Sequence, residues 1–228
     1  TQLNSLFIFL SLKFAKSCAI AEALGLWVPC RALISIDQTL KRDDHEDELL
    51  DLLNASQGIN LGFQYLQGAK DIRPDQIETI DLNFAAQVLW LDTLVMNVDR
   101  TLQNPNLMIW QDRFWVIDHG AALPFQYDWS KVSEASPRSQ SYRMNSHIFW
   151  KKAQNFAAWD DVLAARLSLE LLQTIVAQVP DCFLQPLLDA GASPQQLERR
   201  RQAYAAFLWK RVKAPRPFTA LWLARQAV

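Results

Sequence analysis

The feature that most constrains the fold is the order of elements between residues 82 and 118. Residues 82–96 are mostly apolar with helical periodicity, and neither Gly nor Pro interrupts them. A polar loop follows, and then two short runs typical of β-strands, residues 106–110 and 114–117, which the polar turn 111–113 joins. The sequence therefore predicts a buried helix, a loop and a β-hairpin that ends at Asp118.

Three polar side chains in this region are spaced in a way that resembles the catalytic loop and metal-binding Asp of kinases. Asp99 and Asn104 are five residues apart in the loop, and Asp118 follows the second strand. Phosphoryl transfer requires a carboxylate that orients the acceptor hydroxyl and hard oxygen ligands that hold Mg²⁺ against the phosphates. Because a short hairpin returns the chain close to its start, Asn104 and Asp118 are predicted to bind one ion, with Asn106 as the alternative to Asn104. Asp99 is predicted to be the catalytic base or the substrate-orienting carboxylate.

At these positions the chain resembles HipA-like kinases. Members of that family carry an Asn-x-Asp-Arg loop, then Asn-x-Asn-Leu, then Ile-Asp-His-Gly. Here the three segments read Asn97-Val98-Asp99-Arg100, Asn104-Pro105-Asn106-Leu107 and Ile117-Asp118-His119-Gly120. Residues 24–29, Leu-Gly-Leu-Trp-Val-Pro, are similar to the family's Leu-Gly-Leu-Pro-Val-Pro. The resemblance covers roughly residues 18–130, and the phosphoinositide-kinase loop shares its Asp-Arg pair and the Asn five residues later.

The resemblance implies an activity and its partners. It implies ATP and Mg²⁺ as cofactors and transfer of a phosphoryl group to a protein hydroxyl, as in Ser/Thr protein kinases. It places Tyr65 and Leu66 in an interlobe connector that contacts the nucleotide. Because HipA-like proteins often pair with a DNA-binding protein, it also implies such a partner.

The predicted elements add up to an α+β fold with a protein-kinase-like large lobe, predominantly helical with a short β-hairpin. Residues 1–80 are expected to hold a remnant of the small lobe and the interlobe connector, and residues 81–228 the helical large lobe. The remaining predicted elements are a helix at 3–24, a strand at 32–36, a strand or connector at 63–66, an irregular segment at 119–143 and helices from Ser146 onward with breaks at Pro180, Gly191 and Pro215.

Charge and cysteine content predict where the protein is located and which classes of partner it does not bind. The formal net charge of −1 gives no overall field that favours nucleic acid or an anionic membrane. The apolar run near the N-terminus ends at Lys13 and is too short to span a bilayer. The basic stretch 199–216 is predicted to be a solvated amphipathic helix. Three widely spaced cysteines predict reduced thiols in a cytoplasmic protein, with neither direct nucleic-acid binding nor membrane association.

The parts of a kinase that grip phosphate are not evident in the sequence. No glycine precedes Gly25, and Lys13 and Lys16 lie on a predicted helix rather than on a strand. One explanation is a truncated or absent small lobe in a kinase of low activity. Another is a catalytically inactive pseudokinase that acts as a binding module. A third is a helical interaction protein with chance motifs, since Asp and Asn are common turn formers; that hypothesis requires Asp99, Asn104 and Asp118 to lie far apart.

Overall fold

The computed structural model describes residues 13, 15–37, 51, 53–139, 144–185, 188, 191–219 and 222. The fold class is α+β, as predicted, with small antiparallel sheets among the helices. Residues 3–12 and 14 of the predicted N-terminal helix lie outside the described residues, and so does the segment 38–50, whose residues 43–50 are mostly acidic. In the part of the chain that the structure describes, no helix combines the length and apolar character needed to cross a membrane.

The N-terminal elements are a helix and a two-stranded sheet. Helix α1 covers residues 15–23 and ends before Gly25, whose φ of 83° suits a residue without a Cβ. Strand β1 (Arg31–Ile36) pairs antiparallel with β2 (Gly58–Phe63). Of the two alternatives for residues 63–66, the strand ends at Phe63, because β2 lies earlier and residues 64–66 follow it, and the connector stays a prediction. Gly58 and Gly62 belong to β2 because their backbones pair with β1. Glycine has no side chain that favours a strand, so the sequence did not indicate one at these positions.

The central elements match the predicted order. Short elements β3 (Lys70–Asp71) and α2 (Pro74–Ile77) precede helix α3 (Leu82–Val95), and strands β4 (Leu107–Trp110) and β5 (Arg113–Val116) follow it. The Asp81 carboxylate caps α3 by accepting from the backbone amides of Asn83 and Phe84. The sheet order is β3-β4-β5. Gln111 and Asp112 both have positive φ, as a tight two-residue hairpin turn requires.

The C-terminal part is helical, with a later start than the sequence predicts. Its helices are α4 (Phe156–Ala164), α5 (Leu169–Ala177), α6 (Asp181–Leu184) and α7 (Pro194–Val212). The breaks at Pro180, Gly191 and Pro215 are confirmed. The helical start at Ser146 was wrong, because residues 144–149 contact the loop after α3 instead; the backbone amide of Ile148 donates to the carbonyl of Arg100 at 2.9 Å.

The core surrounds helix α3, which is buried on almost every side. Its largest side chain, Trp90, is fully buried and packs edge-on against Phe218 with ring centroids 5.6 Å apart. A helix that is apolar all round belongs in the centre of a domain. Arg211 of α7 is also fully buried and donates to the carbonyls of Thr93 and Leu94, so at this residue the prediction of a solvated helix was wrong. These hydrogen bonds join the C-terminal end of α3 to α7.

Candidate active site

The loop at residues 97–106, which we call the 97–106 loop, brings Asp99 and Asn104 together. Helix α3 stops at Met96, whose φ of 57° is left-handed. The side-chain amide nitrogen of Asn104 donates to Oδ2 of Asp99 at 2.9 Å. The backbone amide of Thr101 donates to the Asn104 carbonyl at 3.0 Å, and Thr101 Oγ1 accepts from the Asn104 amide at 3.2 Å. The five-residue spacing thus closes a compact turn with an exposed carboxylate at its start.

The hairpin returns Asp118 to the end of this loop. The backbone amide of Ile117 donates to the carbonyl of Asn106 at 3.0 Å, which continues the pairing of β4 and β5 by one step. Asp118 comes next, with a left-handed φ of 49°, and its Oδ1 accepts from the amide of Gly120 at 3.0 Å. Asp118 therefore does not cap a helix. Its exposed side chain lies one residue beyond the point where the hairpin closes on the loop.

The side-chain oxygen atoms of Asn104 and Asp118, where the hairpin meets the 97–106 loop, are of the kind that a hard divalent cation prefers. The Asn104 amide nitrogen donates to Asp99, which leaves the amide oxygen as the atom that can face an ion. Asp118 is exposed, whereas Asn106 is buried and its amide nitrogen has no partner among the described residues. In the described part of the chain, no three His, Cys, Asp or Glu side chains form a group that could hold a metal ion. A magnesium site here would use Asn104 and Asp118, and Asn106 is the less accessible choice.

A buried polar cluster lies beneath the 97–106 loop, and the sequence did not predict it. The carboxylate of Asp92, in α3, accepts from Arg100 Nε at 2.6 Å, from His147 Nε2 at 2.9 Å and from the Asn97 amide at 3.0 Å. Burial alone would raise the pKa of Asp92, but the charge of Arg100 and the hydrogen bond from His147 outweigh it and hold that pKa well below its usual range. One signal was present in the sequence, because Asp92 is the lone charged residue in the apolar run 82–96.

His147 and His119 are both buried and neutral. Burial lowers the pKa of His147 despite its hydrogen bond to Asp92, so this contact joins a neutral imidazole to a carboxylate. Burial and the nearby charge of Arg100 lower the pKa of His119 to about 3. His147 lies in a turn rather than on the predicted helix. Its partner Asp92 is 55 residues away in the sequence.

An apolar cavity of about 380 Å³ opens next to Asp118. Its lining residues come from α1, the segment before β1, the end of β2 and the end of the hairpin: Cys18, Pro29, Phe63, Val116, Ile117 and Asp118. Of the predicted nucleotide contacts, Tyr65 is 86% exposed and Leu66 is buried, and neither lines this cavity. Their role in binding a nucleotide stays a prediction, and Phe63 is the residue near them that faces the cavity.

Comparison with known proteins identifies the family. The model of the HipA-like kinase family matches residues 15–185, which include α1, both sheets, the 97–106 loop and the cavity. This chain belongs to the HipA-like kinase family. No curated protein and no solved structure shows significant similarity to it.

In this member of the HipA-like kinase family, the side chains of Lys13 and Lys16 are buried. Lys13 Nζ donates to the carbonyl of Gly120 and to the Tyr127 hydroxyl, each at 2.9 Å. Lys16 is fully buried, with its ammonium 3.1 Å from the centroid of the Tyr204 ring. Both side chains therefore pack against the interior rather than against the cavity beside Asp118.

The two buried histidines predict that the protein loses stability in mild acid. An unfolded chain takes up these protons near pH 6.5, whereas burial lowers the pKa of His147 and lowers the pKa of His119 to about 3, so the folded chain keeps both imidazoles neutral to a lower pH. The stability is therefore complete above pH 6.5 and declines as the pH falls, by up to about 1.4 kcal/mol per pH unit for each histidine. Urea unfolding between pH 7 and pH 5 measures this slope.

His147→Gln is the control for this slope, because a glutamine amide can still donate to Asp92 but does not titrate. The variant should show a clearly flatter dependence on pH over the same range. An unchanged slope in His147→Gln would contradict a neutral, buried His147.

Proposed function

We propose that this chain binds ATP and Mg²⁺ between the cavity and the 97–106 loop and supports phosphoryl transfer to a protein hydroxyl. The observation that carries the proposal is the position of Asp118. This carboxylate belongs to the cavity lining and also follows directly after the residue that pairs with Asn106 at the end of the loop. Membership of the HipA-like kinase family supports the same class of reaction.

The cavity suits the base of a nucleotide. Five of its six lining residues are apolar, and Phe63 offers an aromatic ring on which a purine can pack. Asp118 stands at the polar side of the cavity, where the phosphates would extend toward Asn104. In this arrangement the adenine lies against Phe63 and Val116, and the phosphates lie against the 97–106 loop.

Each polar residue of the site would have one task. Asp99 would accept the proton of the acceptor hydroxyl while that oxygen bonds to the γ-phosphorus and the bond from phosphorus to the ADP oxygen breaks. Asn104 and Asp118 would hold Mg²⁺, which supplies neutralisation of phosphate charge when bound. The hydrogen bond from Asn104 to Asp99 keeps the carboxylate oriented toward the acceptor. The acceptor is predicted to be a protein Ser or Thr, and a DNA-binding partner protein remains a prediction from the family.

A catalytically inactive pseudokinase is the second candidate function. Lys13 favours it, because the ammonium of this residue is engaged by Gly120 and Tyr127 on the interior side of the Asp118 segment. Because two protein oxygens engage this ammonium, it is less available to bind phosphate than the lysine that kinases use for that purpose. Both candidates predict binding of MgATP, and they differ in whether the phosphoryl group is then transferred.

Thermal unfolding with MgATP tests the shared step. At a ligand concentration one hundred times the Kd, the folded state gains about 2.7 kcal/mol, which is roughly 5–11 °C for a chain of this size. Phe63→Ala should weaken MgATP binding about tenfold, since it removes the aromatic packing surface. A parallel assay of transfer from labelled ATP to protein separates the kinase from the pseudokinase.

The matched control is Ile59→Ala on the same strand. Ile59 and Phe63 are 42% and 41% exposed, and Ile59 does not line the cavity. Ile59→Ala should leave the MgATP shift unchanged. No shift of the wild-type protein at saturating MgATP would overturn the proposed function.

A further inference from the structure

The buried cluster of Asp92, Arg100 and His147 joins three separate parts of the chain. Asp92 is in helix α3, Arg100 is in the 97–106 loop and His147 follows the irregular segment after the hairpin. All three side chains are almost fully excluded from solvent. Asp92 Oδ2 accepts from both Arg100 and His147, at 2.6 and 2.9 Å, so one carboxylate oxygen holds both partners.

The opposite end of the Arg100 side chain reaches the backbone on both sides of the proposed metal site. Its Nη1 donates to the carbonyl of Asn106, and it lies 3.3 Å from the carbonyls of Pro105 and Ile117. Pro105 follows Asn104 directly, and Ile117 precedes Asp118 directly. A single planar guanidinium therefore spans the backbone beside both proposed metal ligands.

We infer that Arg100, held by Asp92 and His147, is a positioning residue that sets Asp118 against Asn104. The inference rests on the proposed function. It adds the cluster of side chains that keeps the two proposed metal ligands, Asn104 and Asp118, at a fixed separation. Arginine suits this task because its donors form a rigid fork, whereas the lysine ammonium is a single point on a flexible chain. Arg100 would act through the backbone of its neighbours and would not touch the nucleotide or the ion.

Stability alone is a poor explanation for this cluster. The Nη2 atom of Arg100 is buried and has no hydrogen-bond partner among the described residues. A buried ion pair stabilises a fold over apolar residues of the same size only when its hydrogen bonds are complete. The donors of Arg100 that are satisfied point at Asp92 on one side and at the two ligand-bearing segments on the other.

His147 fixes the third side of the cluster. The backbone amide of Phe149 donates to Nδ1 of His147 at 3.1 Å, so the imidazole proton is on Nε2 and is donated to Asp92. The same segment pairs with the loop, because Thr101 and His147 form a β-bridge and Ile148 donates to the Arg100 carbonyl. Arg100 is thus held by its side chain and by its backbone.

Arg100→Lys tests the inference against a matched variant, Arg211→Lys. Arg211 is equally buried, and the hydrogen bonds that the structure describes for it go to the carbonyls of Thr93, Leu94, Pro137 and Ser139, all outside the 97–106 loop. We expect Arg100→Lys to weaken MgATP binding at least tenfold, and Arg211→Lys to leave it within twofold. Equal effects of the two variants on MgATP affinity would overturn the inference.

Amide hydrogen exchange supplies a readout that does not depend on nucleotide. The Ile117 amide is hydrogen-bonded to Asn106 at the point that Arg100 spans. Its exchange should accelerate at least tenfold in Arg100→Lys and stay unchanged in Arg211→Lys, even if the wild-type protein fails to bind MgATP. Unchanged exchange in Arg100→Lys would overturn the inference and leave the proposed function standing.

A double variant keeps the test decisive if Arg100→Lys fails to fold. Asp92→Leu with Arg100→Met replaces the buried pair by apolar residues of similar size and should fold. The inference predicts fast exchange of the Ile117 amide in this folded variant. Wild-type exchange at Ile117 together with wild-type MgATP affinity would show that the cluster has no positioning role.

Discussion

Replacing Asp92 with Ala is expected to lower the free energy of unfolding by about 3–5 kcal/mol. The reason is that Arg100 would remain fully buried without its counter-charge, and His147 and Asn97 would lose their shared acceptor. For a chain of this size the unfolding midpoint should fall by roughly 6–20 °C. Thermal and urea unfolding of the purified variant measure both quantities.

Two controls separate the lost charge pair from other effects of Asp92→Ala. Asp75→Ala removes an ion pair with Arg73 whose side chains are 68% and 67% exposed, and it should barely change the midpoint. The Asp92→Leu and Arg100→Met double variant should recover the part of the loss that comes from the unpaired charge of Arg100, although His147 and Asn97 still lack their acceptor. A loss below about 1 kcal/mol in Asp92→Ala would contradict the buried pair.

Asp118→Asn is expected to remove most of the stabilisation by MgATP. A neutral amide in place of a carboxylate weakens a hard-cation site, and we expect an affinity about one hundredfold lower, a loss of about 2.7 kcal/mol. At a concentration one hundred times the wild-type Kd, the stabilisation would drop from about 2.7 to about 0.4 kcal/mol. Thermal unfolding across a series of MgATP concentrations measures the change.

The control for this variant is Asp112→Asn, the same substitution at the turn of the same hairpin. Asp112 is exposed and lies at the far end of β4 and β5 from Asp118. It should keep the wild-type response to MgATP. A wild-type response in Asp118→Asn as well would exclude Asp118 as a metal ligand.

Local spacing was enough to predict the elements that carry the site. The run 82–96 was predictable as a helix because its Asp81 cap and its apolar sequence without Gly or Pro favour one locally. Gln111 and Asp112 close a two-residue turn, so the hairpin and its return to the loop follow from short-range geometry. The contact of Asn104 with Asp99 is likewise made inside one turn of chain. The hypothesis of chance motifs required these residues to lie far apart, and the hydrogen bond between Asn104 and Asp99 does not fit it.

Contacts between residues that are distant in sequence could not be predicted from local spacing. Residues 146–155 have a helical pattern, yet His147 is hydrogen-bonded to Asp92 outside any helix. The reason is that a buried carboxylate without hydrogen-bond donors costs more free energy than the loss of one helical turn. Strand β2 includes two glycines because its pairing with β1 is a backbone contact. Phe63 faces the cavity for the same reason, since the register of that pairing sets where the strand ends.

The sequence alone determined the α+β class, the family and the order of Asp99, Asn104 and Asp118 along the chain. These properties depend on short-range spacing and on motifs that are contiguous in the chain. Only the tertiary structure decided what lies around those residues. The cavity beside Asp118 and the cluster of Asp92, Arg100 and His147 each combine segments that are distant in sequence. Both arise from burial, because buried charges need partners and apolar side chains pack together away from water. The spacing of residues along the chain does not show which residues become buried together.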